Sequence, residues 1–402
     1  MTFPSGLRAL DHRDYRIFFA GQAVALIGSW MQQVAQAWLV LSLTNSPLRL
    51  GLVGSLNFTP VLLFAILGGA VADRLPKRRL LVVTQSVLAC QTLTLALLVW
   101  TGQVRYWHVC VLALVWGIAN TIDLPTRQSF VVELVGRADV TSAVALNSAA
   151  FNAARIVGPA VGGLLIARAG VAPAYFINGF AFLVVISTLL LIRTRGAPLP
   201  RGATTIGQEI REGLRFALKT PRIVLVLAVL FVVSITVFNY SVYVPLVARD
   251  VMHRGAEGFG LLMASVGVGA VGGALTLGVL RAPSLVLLFV TSFLSCGGLL
   301  AMSTIDVFAV AALTLFILGW VSVIAVTGCN VALQLAAPDH LRGRIMSLHT
   351  FIYGGVFPFG AFAVGSISEH WGVPMAYRAA GIFGLIGLTA VLAWWRLRIP
   401  DA

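Results

Sequence analysis

Charge is scarce in this sequence. Of 402 residues only 10% are Asp, Glu, Lys or Arg, with 14 acids in all, while 59% are apolar. So few charges cannot solvate the surface of a globule this size, which excludes a protein whose main solvent is water. Cysteine is scarce too: Cys90, Cys110, Cys296 and Cys329 all fall in apolar stretches. They are neither paired nor at metal-ligand spacing, and they read as small core residues. The sequence has no Gly-rich phosphate loop with a lysine, no metal-binding spacing and no nucleophile motif in a credible context. ATP hydrolysis and enzymatic chemistry are therefore disfavoured, and neither a cofactor nor a metal is expected. Asp11, Arg13, Asp14 and Arg16 precede the first apolar run, which lacks a small-residue cleavage site. A removable signal peptide is not expected.

What the sequence has instead is long apolar runs. A membrane-spanning helix needs roughly 20 mostly apolar residues, because every backbone group must be bonded internally where water is absent. Twelve runs meet this, over roughly 15–43, 49–72, 80–101, 106–130, 142–168, 172–193, 221–248, 257–280, 284–304, 307–335, 344–369 and 374–396. An all-α integral membrane protein of twelve spans follows, with the lipid bilayer as its solvent.

The net charge of +14 would suit nucleic acid, but its distribution points elsewhere. Starting from a cytoplasmic N-terminus, alternate loops hold Arg8, Arg13 and Arg16, then Arg74 to Arg79, Arg137, the cluster from Arg193 to Arg222, and Arg281, Arg342, Arg344, Arg396 and Arg398. The opposite loops hold Arg49, Arg105, Arg168, Arg249, Arg254 and Arg378, so the balance is twenty against six. By the positive-inside rule both termini are expected in the cytoplasm, with no nucleic-acid partner.

The longest break in the apolar pattern, Arg193 to Arg222, contains Gly196, Pro198, Pro200 and Gly202 and divides the runs six and six. Three parts are expected: a bundle over 1–195, a cytoplasmic linker over 196–220, and a second bundle over 221–402. In the linker Ile206, Ile210, Leu214 and Leu218 recur every four residues, with Thr205 and Gln208 placed as a capping box. This predicts a short amphipathic helix on the membrane surface. The two halves also align: Gly51-Leu52 with Gly260-Leu261, Gly68-Gly69 with Gly272-Gly273, Asp139 with Asp339, and Val157-Gly158-Pro159 with Val356-Phe357-Pro358. Two parallel repeats joined by a basic linker are the plan of secondary transporters whose site lies at the midplane.

The loop after the second run reads Gly69-Ala-Val-Ala-Asp73-Arg74-Leu-Pro76-Lys77-Arg78-Arg79. It resembles the signature of the major facilitator superfamily for this loop. The glycines would let helices approach closely, Asp73 would accept bonds from a helix N-terminus, and Arg74, Lys77, Arg78 and Arg79 would pair with acids at neighbouring helix ends. Together they would form a cytoplasmic gate latch. The matching second-half loop, Leu277 to Arg281, lacks the acid and most of the basic cluster. The fifth run carries Gly158-Pro159-Ala-Val-Gly162-Gly163, with Ala154 in place of an upstream glycine. It resembles the antiporter signature of that superfamily, in which small residues and a proline seal the outer half of the pathway. Gly28 to Val40, with Asp123-Leu-Pro125-Thr-Arg127-Gln128, is similar to the branch that contains the enterobactin exporter and related secretion effectors.

Ionisable residues at membrane depth are costly and usually functional. Those well inside the runs are Asp123, Arg127 and Arg155. Asp123 and Arg127 stand one helical turn apart, and with Arg155 they would make a polar cluster that binds a coupling proton. A structural part in the latch is the alternative reading of Asp123 and Arg127. Cavity-lining residues are sought among Gln32, Gln33, Gln36, Asn147, Asn152, Asn239, Tyr240, Asn330 and Gln334. Beside Trp30, Trp38, Phe238 and Trp320 these amides suit an uncharged or amphipathic organic molecule, though polar glue between helices is the competing role for each. The resemblance implies a monomeric, proton-driven exporter of a small molecule of drug or siderophore type in the bacterial inner membrane. A solute importer of the same fold and a non-transporting sensor or lipid-handling protein are the alternatives.

Overall fold

The computed structural model of the protein describes residues 5–196, 206–280, 283–338 and 341–398, and among these no strand occurs. A short 3-10 turn, Ser5–Asp11, leads into α1 (Arg13–Thr44). Asn45 stops α1 in the left-handed conformation at φ 50, its N–H bonded to Leu41 O at 2.9 Å. The chain reverses at once into α2 (Pro47–Arg74), whose first turn is capped by the Ser46 hydroxyl accepting from Arg49 N–H at 3.2 Å. Next come α3 (Lys77–Trp100), α4 (Tyr106–Ala169) and α5 (Ala172–Leu191).

The fourth and fifth apolar runs form two helices joined by a tight kink, and α4 covers both; its 64 residues as one straight helix would extend about 96 Å, roughly three times the hydrocarbon thickness. The path breaks at Gly136, with φ 72 and ψ 168. Glycine meets no steric penalty there, so the first helix ends and the second begins at that residue.

After the linker come α6 (Ile206–Lys219), α7 (Pro221–Thr236) and α8 (Tyr240–Leu246), followed by a π turn over Val247–Val251. The remaining helices are α9 (Ala256–Val279), α10 (Leu285–Met302), α11 (Phe308–Ala336), α12 (Arg342–Gly355), α13 (Phe357–Trp371) and α14 (Val373–Arg398). The eleventh run is split because Pro358, in the first turn of α13, has no N–H to continue the ladder of α12. The amphipathic linker helix forms as α6, and its Leu214 and Leu218 are exposed. Its proposed capping box, Thr205 with Gln208, lies outside the described residues, as do Arg281 and Asp339.

Among the described residues eleven segments are long and apolar enough to cross a membrane, and one of them, α4, holds two helices joined at Gly136. Large apolar side chains face outward all along them, Leu63, Trp100, Leu190 and Ile386 among them. Such a surface is stable only against lipid. Hydroxyls inside the spans bond back to carbonyls one turn earlier, as Thr121 Oγ1 does to Gly117 O at 2.8 Å and Thr236 Oγ1 to Val232 O at 2.6 Å. These hydroxyls thereby avoid facing hydrocarbon unbonded.

The chain forms two compact units. The first comprises Met1–Asn45, Leu56–Pro200 and Arg254–Ala264, and the second Ser46–Ser55, Arg201–His253 and Ser265–Ala402. The first unit thus holds α1, most of α2, α3 to α5 and the opening turns of α9. The second holds the opening turns of α2 together with α6 to α8, the rest of α9 and α10 to α14.

Candidate functional site

The deepest ionic feature of the first unit is Asp123 on α4, with no solvent exposure. Its Oδ1 accepts from Thr84 Oγ1 and Gln85 Nε2 of α3, both at 2.8 Å. Its Oδ2 lies 2.7 Å from Arg127 Nη2, one turn along the same helix. That approach is a charge contact without a directed hydrogen bond at Oδ2. Arg127 in turn donates from Nη1 to Gln22 Oε1 of α1 at 2.9 Å. Two donors from α3 and one guanidinium on its own helix stand where water would otherwise surround the side chain. Arg155 donates to Asn152 Oδ1 at 3.0 Å and lies over the Phe151 ring, 5.9 Å from its centroid. Thr84, Gln85 and Gln22 were not singled out in the sequence, since neutral polar residues carry no motif until the helix crossing is known.

The basic loop between α2 and α3 behaves differently from its expected role in two respects. Close approach is made by Gly68, not Gly69: a Cβ on Gly68 would fall 2.9 Å from the carbonyl carbon of Thr121, while Gly69 has open space. Asp73 is exposed and makes no bond among the described residues, so it accepts nothing from a helix N-terminus here. Arg74 and Arg79 are exposed as well. The pairing of a basic residue with an acid falls to Lys77, only 1% exposed, which forms an ion pair with Glu133 of α4. Arg78 fastens the exit of α5, its N–H bonding Arg195 O at 3.2 Å and its Nη2 bonding Leu190 O at 3.0 Å.

The small residues of α4 work as a two-sided seam. A Cβ on Gly158 would lie 3.0 Å from Ile27 O and 3.3 Å from Met31 N, and one on Gly162 would lie 3.1 Å from Met31 Cα, so these two glycines press on α1. Gly163 faces the opening turns of α9 instead, where its Cβ would lie 2.8 Å from Gly260 Cα. Pro159 sits between, fully enclosed in the helix packing. The second unit repeats the device, with Gly51 of α2 against Gly365 of α13.

The amides proposed for a cavity divide by environment. Gln32 is buried and accepts from Thr92 Oγ1 at 3.0 Å and Asn178 Nδ2 at 2.5 Å, which makes it a bond between α1, α3 and α5. Gln32 and Gln36 edge a narrow crevice of the first unit with Gln91, Leu95, Val109 and Trp116, and Gln33 is half-buried. Asn147 accepts from the Tyr15 hydroxyl at 3.3 Å, and Asn152 is held by Arg155. In the second unit Asn239 is fully buried and donates to Ile235 O at 2.9 Å, Tyr240 donates to Ser322 Oγ at 3.1 Å, and Asn330 accepts from Gln334 at 2.7 Å. Gln32 thus bonds three helices together and also edges the crevice. Among the described residues no cluster of three His, Cys, Asp or Glu is placed to hold a metal.

Among the described residues the protein is helical and multi-span, with buried charges paired at Asp123–Arg127 and Lys77–Glu133 and with paired glycine seams. Its backbone resembles a crystal structure of a POT family transporter in complex with a thioalcohol-conjugated peptide, with TM-score 0.76 over 94% of this chain and 95% of that one, at 11% identity. The fold is that of the major facilitator transporters. The chain belongs to the transmembrane secretion effector family, which it matches over residues 4–402. It is similar to the Staphyloferrin A transporter of Staphylococcus aureus (strain NCTC 8325 / PS 47), 23% identical over 372 residues, 91% of this chain and 92% of that protein. It is also similar to the multidrug efflux pump Tap of Mycolicibacterium fortuitum, 28% identical over 384 residues, 90% and 91% of the two chains. The enterobactin exporter EntS of Salmonella typhi is 27% identical over 397 residues, 96% of this chain and 94% of that one. The protein is accordingly a multi-pass membrane transporter of the efflux and secretion type, not an enzyme.

Proposed function

We propose that this transporter exports a small hydrophobic or amphipathic molecule, of drug or siderophore kind, in exchange for protons. Its halves, 1–195 and 221–402, joined by the linker 196–220, would alternate access to the two sides as a monomer in the bacterial inner membrane, with both termini in the cytoplasm. The observation that carries the reading is Asp123: a wholly buried acid whose ligands come from α3 and α4. A proton on that carboxylate would cancel its charge against Arg127 and convert one oxygen from acceptor to donor. Arg127 would keep Gln22 as its partner on α1. Loading and release of one proton would in this way alter how α1, α3 and α4 hold together, which is the requirement for coupling.

The Gly158, Pro159, Gly162 and Gly163 seam would serve as the sealing surface of that cycle. The loop from Gly69 to Arg79 would serve as its latch, with Asp73 and Arg74 engaging in only one of the two access states. The names of two relatives, an efflux pump and an enterobactin exporter, favour export of such molecules over import.

The test is purified protein in proteoliposomes, a panel of amphipathic compounds, and an imposed pH gradient. Asp123→Asn should retain substrate binding and exchange but lose accumulation driven by the gradient. Gradient-driven accumulation at the wild-type rate in that variant removes the coupling role from Asp123 and moves the search to Asp306 and Glu369. Equal loss of binding, exchange and folding leaves Asp123 as a structural partner only.

A further inference from the structure

The seventh apolar run is interrupted inside the second unit. α7 ends at Thr236, α8 begins at Tyr240, and Val237–Asn239 leave the helical path between them. The Asn239 side chain donates to Ile235 O at 2.9 Å, the carbonyl that the amide of residue 239 takes in an unbroken helix. Non-helical backbone at membrane depth is tolerated where it is buried in protein or lines a cavity. Interrupted helices are where transporters gather ligand contacts.

The interruption places four rings in a row. Phe238 meets Tyr240 at 6.1 Å between centroids and 65° between planes, and meets Tyr353 of α12 at 5.3 Å and 73°. Tyr353 is stacked on His349, one turn earlier, at 6.1 Å and 13°. A cluster that served only as core would be closed over, yet Tyr353 is 39% exposed and Phe238 and Tyr240 are half-buried. His349 is 8% exposed and its Nε2 has no hydrogen-bond partner. A buried polar nitrogen without a partner is expensive and calls for an explanation. The charged residues nearest in sequence, Arg342 and Arg344, stand at the start of α12, and Arg344 is paired with Glu212. The exposed part of the row is aromatic, and the unpartnered His349 Nε2 lies buried at its end.

We infer that Phe238, Tyr240, Tyr353 and His349 form a subsite for a neutral planar aromatic ring bearing a hydroxyl or amide group. The ring would take the edge-on and stacked positions that the exposed faces of Phe238 and Tyr353 leave open. Its polar substituent would satisfy His349 Nε2, and the hydroxyl of Tyr240, tied to Ser322 Oγ, would set the far wall. This assignment rests on the export reading and narrows its substrate class to ring-bearing molecules.

The test is photolabelling of the full-length protein in lipid nanodiscs with 4-hydroxybenzophenone, followed by peptide mapping. The label should fall on residues 237–240 and 349–353, and an excess of 1-naphthol should displace it while cyclohexylmethanol does not. Phe238→Leu and Tyr353→Leu, each shown to be monodisperse, should lower labelling about five- to ten-fold. His349→Phe keeps a ring in the stack but loses the nitrogen, so it should weaken labelling by 4-hydroxybenzophenone and leave labelling by unsubstituted benzophenone unchanged. That internal comparison separates loss of the contact from loss of the fold. Labelling spread over other helices, displacement by cyclohexylmethanol as strong as by 1-naphthol, or variants that label like wild type would each overturn the subsite. Pumping of the same probe in proteoliposomes is scored separately. Labelling here without pumping refutes proton-driven export of the probe and keeps the subsite, and pumping without labelling here does the reverse.

Discussion

Gly163 of α4 and Gly260 of α9 meet backbone to backbone, so closely that a Cβ on Gly163 would stand 2.8 Å from Gly260 Cα. Gly51 of α2 and Gly365 of α13 make the matching contact, at 3.1 Å for a Cβ on Gly51. The internal repeat had paired Gly51 with Gly260, and both turn out to be half of a glycine-on-glycine seam. With lipid on every outer face, helices gain little from the hydrophobic effect in meeting each other. Close backbone approach through small residues supplies the dispersion contact instead.

Leucine at Gly158 or at Gly163 should leave the protein inserted in the membrane and abolish transport, because the first separates α4 from α1 and the second separates it from α9. Efflux assays on vesicles with matched protein levels check this, and normal efflux from either variant would remove the sealing role.

Arg127→Ala should be far more harmful than the double change Asp123→Asn with Arg127→Gln. The single change leaves a wholly buried carboxylate without its cation, a loss of about 3–5 kcal/mol, whereas the double change leaves no charge to compensate. Thermal unfolding in detergent, followed by intrinsic fluorescence, measures the difference. A double variant no more stable than the single one would contradict it.

The Lys77 and Glu133 pair should respond asymmetrically, since Lys77 is 1% exposed and Glu133 28%. Glu133→Gln strands a buried ammonium short of its acid and should lower the melting temperature by several degrees. Lys77→Met keeps the apolar stem in place and lets Glu133 turn to water, at a cost on the order of 1 kcal/mol. The reverse order of stabilities would show that burial does not govern this pair.

Asp73→Asn should leave the melting temperature unchanged, because Asp73 is exposed and makes no bond among the described residues. It should nonetheless reduce transport several-fold if the loop engages only in the other access state. A variant that transports at the wild-type rate would end the latch assignment of Asp73.

Glu369 of α13 accepts from Ser46 Oγ at 2.8 Å and Leu48 N–H at 3.1 Å, so an acid from one helix completes the N-cap of α2. Glu369→Ala should lower stability by roughly 1 kcal/mol, as loss of a cap does, while Glu369→Gln, which keeps an acceptor oxygen, should restore most of it. Melting curves that rank the two variants equally would argue against a capping role.

The sequence by itself determined the class of solvent, the run of spans, the linker helix, the burial of Asp123 beside Arg127 and the stripe of small residues on α4. Each follows from local chemistry: a backbone in hydrocarbon must bond within its own helix, a charge in a span must be compensated, and the spacing of small residues marks one helix face. Only the tertiary structure decided which partners those residues meet. Thr84, Gln85 and Gln22 surround the ion pair, Gly68 rather than Gly69 touches α4, Gln32 bonds Thr92 and Asn178, and Arg155 bonds Asn152. The tight join of two helices at Gly136 and the interruption at Val237–Asn239 belong to the same group. Their common reason is rotational: each residue turns a helix by about 100°, so the angle at which two helices cross selects the side chains that face each other, and that angle is a property of the packed bundle.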